Sequence, residues 1–392
     1  MKNSRTIKRD MLCALSVLCL ALATTVSAFA TEPGDAVKNL YLSAANKPTN
    51  IAGIHTFAEP PQGFNPLTAS DVELATYGFP LRPDKQIDPD HYALWERAMR
   101  AAKIRWTGDL KPLPTLGHGM MLSASSPITQ AATASTGPKR LSTINGSGVF
   151  LTNYGLKKWS PTASFNDIWT VISVPNAQLP FSNGAGCTAP SFVSVSMAGI
   201  DARILFLQPG WVVIPELSGG VESIVDCSGN AAYYAFAEWG TGAFPFQLNP
   251  GDVFYTEVHA SGPSLPGWVF LEDLTTLAYG TYTVDPDPSV PLVGNSAQWV
   301  VERPCCNGPG PDGTWPLADN ISVSFDGATV QNGAGRLFYP GSQSASTYVL
   351  TMMDDGSTQN IELVNQGSGG FQGQHSLFFE TTGCAYTGGC IP

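Results

Sequence analysis

The chain has 392 residues, of which 43% are hydrophobic and only 13% are charged, and its formal net charge is −11. Plentiful hydrophobic residues exclude a disordered chain, and the length predicts one large domain or two smaller ones. The acidic balance argues against nucleic acid and anionic membrane surfaces as partners, because both carry negative charge.

The first thirty residues are typical of a secretory signal peptide. Basic residues precede an apolar run at 11–26, and Ala28-Phe29-Ala30 forms a small-residue cleavage pattern. The apolar run is short for a membrane span, which makes an uncleaved anchor the weaker alternative. We expect residues 1–30 to direct secretion, either to the extracellular space or to the periplasm.

Residues 31–140 are predicted to form a partly helical segment that ends in a linker. Ser70 or Asp71, together with Glu73, predicts a capped helix. Residues 89–106 have apolar side chains at helical spacing and several basic ones, which predicts a basic helix. From 123 to 137 the residues are small and polar, which is typical of an exposed linker.

From about residue 141 the pattern predicts β-structure. Short apolar or alternating runs are separated by Gly, Pro, Asn or Asp. Many short strands without helices between them predict an all-β sandwich or barrel over residues 141–392. The candidate strands are 168–174, 192–197, 204–207, 231–238, 253–260, 268–271, 298–301, 321–325, 347–352, 359–364 and 376–379.

The run from Ser296 to Pro304 alternates like a strand, and its proline would end the hydrogen-bond ladder. Alternation places Gln298, Val300 and Glu302 on one face. Ala297, Trp299 and Val301 fall on the other face, which is apolar enough for a core. A second run, 202–210, ends in Gln208 before Pro-Gly, and we expect Gln208 and Glu302 to meet on one sheet face.

The cysteines predict disulfides rather than a metal site. Six follow the signal peptide: Cys187, Cys227, Cys305, Cys306, Cys384 and Cys390. An even number in a secreted chain favours disulfides, and the spacing does not resemble a zinc site. We expect Cys187 to pair with Cys227 and Cys384 with Cys390. Cys305 and Cys306 pair either with each other or with distant partners.

Several short motifs occur in a fixed order along residues 145–330. They are Asn153-Tyr154-Gly155, Val174-Pro175, Gly199-Ile200-Asp201, Leu207-Gln208-Pro209-Gly210, Ala235-Phe236-Ala237-Glu238-Trp239, Pro250-Gly251-Asp252, Leu271-Glu272-Asp273-Leu274-Thr275 and Ala297-Gln298-Trp299-Val300-Val301-Glu302. Their order resembles the glutamic peptidases (eqolisins), a family of secreted endopeptidases that act in acid. Residues 63–80 also resemble the pro-segments of bacterial members.

The resemblance implies a fold and a site. The fold would be an antiparallel β-sandwich of the concanavalin A-like or jelly-roll type, with one face forming a substrate groove. The catalytic residues would be Gln208 and Glu302. Residues with a substrate-binding or supporting role would be Glu238, Trp239, Tyr154 and Asp201. The sequence departs from the family where Tyr154 replaces a Trp, where Gln298 replaces a Glu, and in the short spacing from Asp201 to Gln208.

This pair of side chains suits amide hydrolysis. The reaction needs a base for water, a donor for the developing oxyanion and a proton for the leaving nitrogen. Glu302 can take and return the proton, while Gln208 can donate to the oxyanion without titrating. We expect polypeptide substrates, no cofactor or metal, and a monomer.

The resemblance implies that residues 31–140 are a pro-segment, and we expect it to act as an intramolecular inhibitor. The basic helix would lie over the acidic groove at neutral pH, and acid would weaken that attraction and release it. A pro-segment that serves only folding is the alternative.

Two other functions stay open at this point. One is a non-catalytic glycan-binding sandwich, and the other is a glycoside hydrolase that uses Glu238 and Glu302 as its two carboxyl groups. The sequence has no His-Glu-x-x-His, Gly-x-Ser-x-Gly or pepsin-like Asp-Thr-Gly motif. A Ser–His scheme through His259 is also left open.

Overall fold

The computed structural model describes residues 40–113, 139–143, 146–153, 155–179, 191–201, 216–239, 241–286, 291–304, 315, 317–341, 347–354, 358–363 and 375–381. The predicted signal peptide and the linker at 123–137 lie outside these ranges. Within them, no helix has the length and hydropathy that crossing a bilayer requires.

The described chain is mostly β-structure. Its labelled helices are α1 (Asp71–Thr76) and α2 (Pro89–Ala101). Its strands are β1 (Lys47–Pro48), β2 (Ile54–Thr56), β3 (Ile104–Arg105), β4 (Lys111–Pro112), β5 (Lys139–Thr143), β6 (Gly146–Thr152), β7 (Phe165–Ser173), β8 (Ser191–Asp201), β9 (Glu216–Asp226), β10 (Ala231–Trp239), β11 (Thr241–Phe244), β12 (Gln247–Leu248), β13 (Val253–Ala260), β14 (Gly267–Asp273), β15 (Ala278–Val284), β16 (Ser296–Glu302), β17 (Ser322–Asn332), β18 (Leu337–Phe338), β19 (Thr347–Asp354), β20 (Thr358–Leu363) and β21 (Leu377–Thr381).

The strands form two layers, which we call sheet A and sheet B. Sheet A has the order β5-β19-β6-β16-β8-β9-β10-β11-β4 and is antiparallel except for the β5–β19 pair. Sheet B has the order β2-β15-β14-β13-β7-β17-β21-β20, in which each neighbouring pair is antiparallel, and β3 adds to β15 in parallel. Because β20 also pairs with β19, the two sheets are joined along one side.

The main core lies between the two sheets. Trp299 and Val301 of β16 point into it from sheet A, and Ile168 and Ile172 of β7 point into it from sheet B. Successive strand residues point to opposite faces, so the polar members of the alternation lie outside this core. The predicted antiparallel β-sandwich is therefore confirmed.

A second core lies on the outer face of sheet B. Large aromatic side chains project from that face: Trp169, Tyr255, Trp268, Phe270 and Tyr279. Residues 40–113 cover them with apolar side chains of their own: Tyr41, Phe57, Leu74, Phe79, Trp95 and Met99. Sheet B is thus buried on both faces.

Helix α1 begins as the sequence predicts. The Ser70 side chain accepts a hydrogen bond from the Glu73 backbone N–H at 3.3 Å, and the Glu73 carboxylate accepts one from the Ser70 backbone N–H at 2.8 Å. This reciprocal pair is a capping box, which satisfies donors that the first helical turn leaves open.

Helix α2 is shorter than the sequence predicts. It ends at Ala101, whereas the prediction extended it to residue 106. Beyond it, the Ile104 backbone N–H donates to Leu277 at 2.9 Å and the Trp106 N–H donates to Tyr279 at 2.8 Å. Hydrogen bonding to the edge of sheet B therefore replaces the last helical turn.

The predicted place of this basic helix is also wrong. Trp95 and Met99 pack α2 against sheet B, on the side of the molecule away from the free face of sheet A. The Arg100 guanidinium pairs with Glu96 of the same helix at 2.8 Å, and both side chains are solvent-accessible. Apolar burial, rather than basic charge, determines where α2 docks.

One buried carboxyl group lies beneath this covering segment. Glu272 of β14 is 0% exposed on the face of sheet B that residues 40–113 cover. Burial raises the pKa of Glu272 well above its usual value, the neighbouring charge of Asp273 raises it further, and Lys103 opposes both effects. The folded protein therefore holds a proton here that the unfolded chain releases at lower pH.

The sign of the resulting pH dependence follows from linkage. A carboxyl group with a raised folded-state pKa stabilises the fold below its unfolded pKa, and that contribution is lost as pH rises through the folded value. We expect Glu272→Gln to reduce the loss of stability as the pH rises above about 4.3, the usual pKa of a glutamate, because glutamine keeps the shape of the neutral acid.

Thermal midpoints at several pH values check this expectation. The matched control is Glu59→Gln, since Glu59 is exposed on the same covering segment. A Glu272→Gln protein that loses as much stability on alkalinisation as the unsubstituted chain would contradict the assignment.

Candidate active site

Strand β16 divides its side chains as the sequence predicts. Ala297, Trp299 and Val301 lie in the core between the sheets. Val300 belongs instead to an apolar cluster on the opposite face of sheet A. Gln298 and Glu302 lie on the same face as Val300, because they are two residues from it in the strand. We call this opposite face of sheet A the groove face.

Register places the neighbours of Glu302 in one row across the groove face. Glu302 pairs with Gly146 of β6 and with Val195 of β8. Val195 pairs with Glu222 of β9, which pairs in turn with Tyr234 of β10. Directly opposed residues share a face, so the side chains of Glu302 and Glu222 rise on either side of Val195.

A second polar row runs parallel to the first. Gln298 is opposite Gly199 of β8, which is opposite Ser218 of β9. Ser218 is opposite Glu238 of β10, and Glu238 is opposite Gly242 of β11. At about 3.3 Å per residue, this row lies about 13 Å along the strands from the Glu302 row.

Apolar side chains fill the space around these two rows. The cluster contains Leu113, Phe150, Val193, Val195, Met197, Phe236, Phe244, Val300, Tyr348 and Leu350. Glu302 is 1% exposed and Glu222 is 0% exposed in the full-length chain. The groove face thus combines an apolar lining with carboxyl groups that are shielded from bulk water.

Two glycines allow the strands of the groove face to approach closely. A Cβ atom at Gly220 of β9 would overlap the Ser196 carbonyl oxygen and lie 2.8 Å from the Met197 Cα. A Cβ atom at Gly148 of β6 would overlap the Trp299 carbonyl oxygen. Both glycines lie in the row next to Glu302, so any residue larger than glycine would push apart the strands that carry the site.

The structure places some of the predicted site residues. Glu302 and Glu238 both lie on the groove face, in different rows. Trp239 is 0% exposed in the core between the sheets, so of its two predicted roles the position suits a supporting one. Alternation explains this position, because Trp239 follows Glu238 directly in β10. Asp201 is the last residue of β8, where it pairs with Glu216.

Several predictions fall outside the described residues, including the strand at 204–207, the pairing of Cys384 with Cys390 and the partners of Cys305 and Cys306. Gln208 and Tyr154 lie there, as does the partner of Cys227, which is disulfide-bonded. The pairing of Cys187 with Cys227 stays a prediction. Within the described residues, no group of three or more His, Cys, Asp or Glu side chains is placed to hold a metal ion.

Sequence reasoning missed Glu222. It lies in β9, a strand that the sequence did not predict because Gly219-Gly220 interrupts the apolar pattern. The signal was nevertheless present. Leu217, Val221 and Val225 alternate with the residues that face the groove, and that alternation places Glu222 on the groove side.

Comparison with known proteins identifies the family. The family model described as "Peptidase A4 family" matches residues 152–366, more than half of the chain. The chain belongs to the peptidase A4 family. It is therefore a glutamic peptidase, an endopeptidase that hydrolyses peptide bonds. No curated protein matches the chain.

Solved structures of glutamic peptidases match this chain at low identity. Scytalido-glutamic peptidase with a peptide-based transition state analogue is 18% identical, with a TM-score of 0.44, over 61% of this chain and 98% of that chain. SCP-B, an eqolisin solved with the tripeptide Ala-Ile-His, is 17% identical with a TM-score of 0.43 over the same shares. Aspergilloglutamic peptidase from Aspergillus niger is 23% identical, with a TM-score of 0.38, over 49% and 99%.

Geometry also argues against the glycoside hydrolase alternative. Glu238 and Glu302 are three strands apart across sheet A and four residues apart along it. Spacings of about 4.8 Å per strand and about 3.3 Å per residue put their Cα atoms roughly 20 Å apart. Retaining glycosidases need their carboxyl groups within about 5.5 Å and inverting ones within about 9.5 Å.

The close approach at Gly220 gives a stability prediction. We expect Gly220→Ala to destabilise the peptidase by about 1–3 kcal/mol, because overpacking forces neighbouring backbone to move. Chemical denaturation measures the change in the free energy of unfolding. Gly155→Ala is the matched control, since its new Cβ would lie 3.9 Å from Asn153 Oδ1, an ordinary van der Waals contact. Equal effects from both substitutions would contradict the packing argument.

Proposed function

We propose that this chain is the precursor of a secreted, acid-acting glutamic endopeptidase in which Glu302 and Gln208 hydrolyse the peptide bond. The observation that carries the proposal is the position of Glu302. It lies at the end of β16 on the groove face, anchored by the buried Trp299 on the opposite face of the same strand. Family membership supplies the reaction class.

Glu302 serves as general base and then as general acid. Its carboxylate takes a proton from water as the water oxygen bonds to the carbonyl carbon. The oxyanion that forms accepts a hydrogen bond from the Gln208 side-chain amide. Glu302 then returns the proton to the amide nitrogen, the C–N bond breaks, and an acid and an amine are released.

An apolar groove lining helps this chemistry. Val195 and Val300 lie beside Glu302, and a low-dielectric surface strengthens hydrogen bonds to a developing charge. Extended polypeptides also suit a face lined by apolar side chains with a few polar groups. These features favour polypeptide substrates.

The zymogen part of the proposal rests on Lys111–Leu113 rather than on α2. Strand β4 adds to the edge of sheet A by pairing with β11, and the Leu113 backbone N–H donates to Gly242 at 3.1 Å. Leu113 is 4% exposed and belongs to the apolar cluster of the groove face. The Lys111 ammonium lies 5.3 Å from the centre of the Tyr234 ring. The pro-segment thus reaches the face that carries Glu302.

Secretion and acid action complete the proposal. The signal-like residues 1–30 support export, and the acidic composition suits a protein that works where carboxyl groups lose their charge. The raised pKa of Glu272 gives a fold that is stabilised toward acid, where such an enzyme acts.

Substitution of the base tests the reaction. We expect Glu302→Gln to abolish cleavage of a denatured protein at about pH 4, because the amide has no proton affinity with which to activate water. Gln208→Ala should lower kcat by about 10²–10³, the usual cost of losing one oxyanion donor. Cleavage is followed by mass spectrometry of the products, with Glu59→Gln as the control. A fully active Glu302→Gln protein would refute the proposal, as would sugar binding without any cleavage.

Inhibition by the pro-segment has a separate test. We expect Leu113→Asp to raise the initial cleavage rate of the intact chain, because an ionised side chain leaves the apolar groove face. Ile104→Asp makes the same change at an exposed position of the same segment and should not alter the rate. Rates are measured before any self-processing, with intact mass as the check. Equal rates for all three proteins would count against an inhibitory role for this contact.

A further inference from the structure

We propose that Glu222, held in its protonated form, is a further catalytic residue that donates a hydrogen bond to the oxyanion of the substrate. The inference deepens the proposed function and rests on it, since it takes Glu302 as the base. It starts from a juxtaposition: two carboxyl groups stand in one row of the groove face, on either side of Val195.

The register brings Glu222 within reach of the same water as Glu302. The two residues are two strands apart with no offset along the strands, so their Cα atoms are about 10 Å apart. Two glutamate side chains on one sheet face are long enough to bring their carboxyl groups to either side of a water and a carbonyl group above Val195. Among described residues of the row, Gly146 and Val195 offer no polar side chain.

The other polar groups on the groove face are poorly placed for this role. Gln298 lies on β16 itself, with Val300 between it and Glu302, about 13 Å away along the strand. Glu238 lies in the same row as Gln298, three strands from β16. Glu222 is therefore the described carboxyl group that the fold sets level with Glu302.

Burial favours the protonated form that a donor needs. Glu222 is 0% exposed, and a carboxyl group removed from water resists ionisation. The described titratable groups nearest in register are Glu302 of β16 and Tyr234 of β10, and Lys111 of β4 lies over the Tyr234 ring. A second negative charge in the row beside the Glu302 carboxylate would be unfavourable, which again favours one proton on the pair.

The two carboxyl groups then have different roles: Glu302 transfers the proton and Glu222 stabilises the oxyanion. The Glu302 carboxylate takes the water proton, and the water oxygen bonds to the carbonyl carbon. The carbonyl oxygen becomes an oxyanion that accepts a hydrogen bond from the Glu222 O–H. Glu302 passes its proton to the amide nitrogen, the C–N bond breaks and the carbonyl re-forms. Glu222 keeps its proton throughout, so no co-reactant is needed.

The test compares Glu222→Ala with Glu222→Gln in full-length protein incubated in acid. We expect Glu222→Ala to lower kcat by about 10²–10³. Glu222→Gln keeps a donor and should retain most activity. Because glutamine cannot lose a proton, the alkaline limb of the kcat/KM profile should also move to higher pH. Glu238→Ala, on the same face but in the other row, should leave that limb where it is.

Gln208→Ala separates the two proposed donors. The amide of Gln208 does not titrate, so Gln208→Ala should lower kcat without moving either limb of the kcat/KM profile. Thermal midpoints of all variants show whether an effect is one of folding only.

Each outcome decides the question. Full activity in Glu222→Ala, or a Glu222→Gln protein as inactive as Glu222→Ala, overturns the role of Glu222 while leaving Glu302 as the base. An unmoved alkaline limb in an active Glu222→Gln protein overturns the protonated donor. Absence of cleavage in the unsubstituted chain would remove the proposed function and this inference together.

Discussion

The two-residue period of β16 is the constraint on which the site depends. Trp299 is fully buried between the sheets, and a strand that buries Trp299 must turn Glu302 to the other face. A slip of one residue would bring the carboxyl group into the core and the indole out of it. The same period acts on β9 and β10, where Val221 and Trp239 face inward and Glu222 and Glu238 face the groove. Core packing thus holds the polar groups in place.

The described chain has three layers, which are sheet A, sheet B and residues 40–113, with sheet B in the middle. The inner face of sheet B packs on sheet A, and its outer face packs on residues 40–113. Those residues also add hydrogen-bonded strands to both sheets, through β2 and β3 on β15 and through β4 on β11. Residues 40–113 are therefore part of the folded unit, and only the last of them, Lys111–Leu113, reach the groove face.

Strong local patterns in the sequence predicted much of this structure. The bounds of β13 and the capping box of α1 match the predictions, because each depends on neighbouring residues. Strands β6, β9 and β15 were missed, and each contains glycine where its neighbours approach closely or its face is crowded. At Gly148 and Gly220 the limiting contact is with the backbone of another strand, which a local pattern does not encode.

Some positions of the candidate residues were predicted, for similar reasons. The face of β16 that carries Glu302 was predicted correctly, because alternation in one strand is enough to assign it. The surface on which α2 docks was predicted wrongly, because basic residues do not specify which of several acidic or apolar surfaces a helix covers. The apolar residues Trp95 and Met99 determine the docking surface. Trp169 and Phe270, which belong to the same core cluster, are distant from them in sequence. Glu222 needed the register of three strands to be recognised as level with Glu302.

The aromatic outer face of sheet B has a consequence for how this protein is made. A chain shortened to begin at residue 141 would present Trp169, Tyr255, Trp268, Phe270 and Tyr279 to water as one patch. Contiguous apolar surface of that kind drives proteins to self-associate. Residues 40–113 cover this surface, so we expect a chain that lacks them to self-associate.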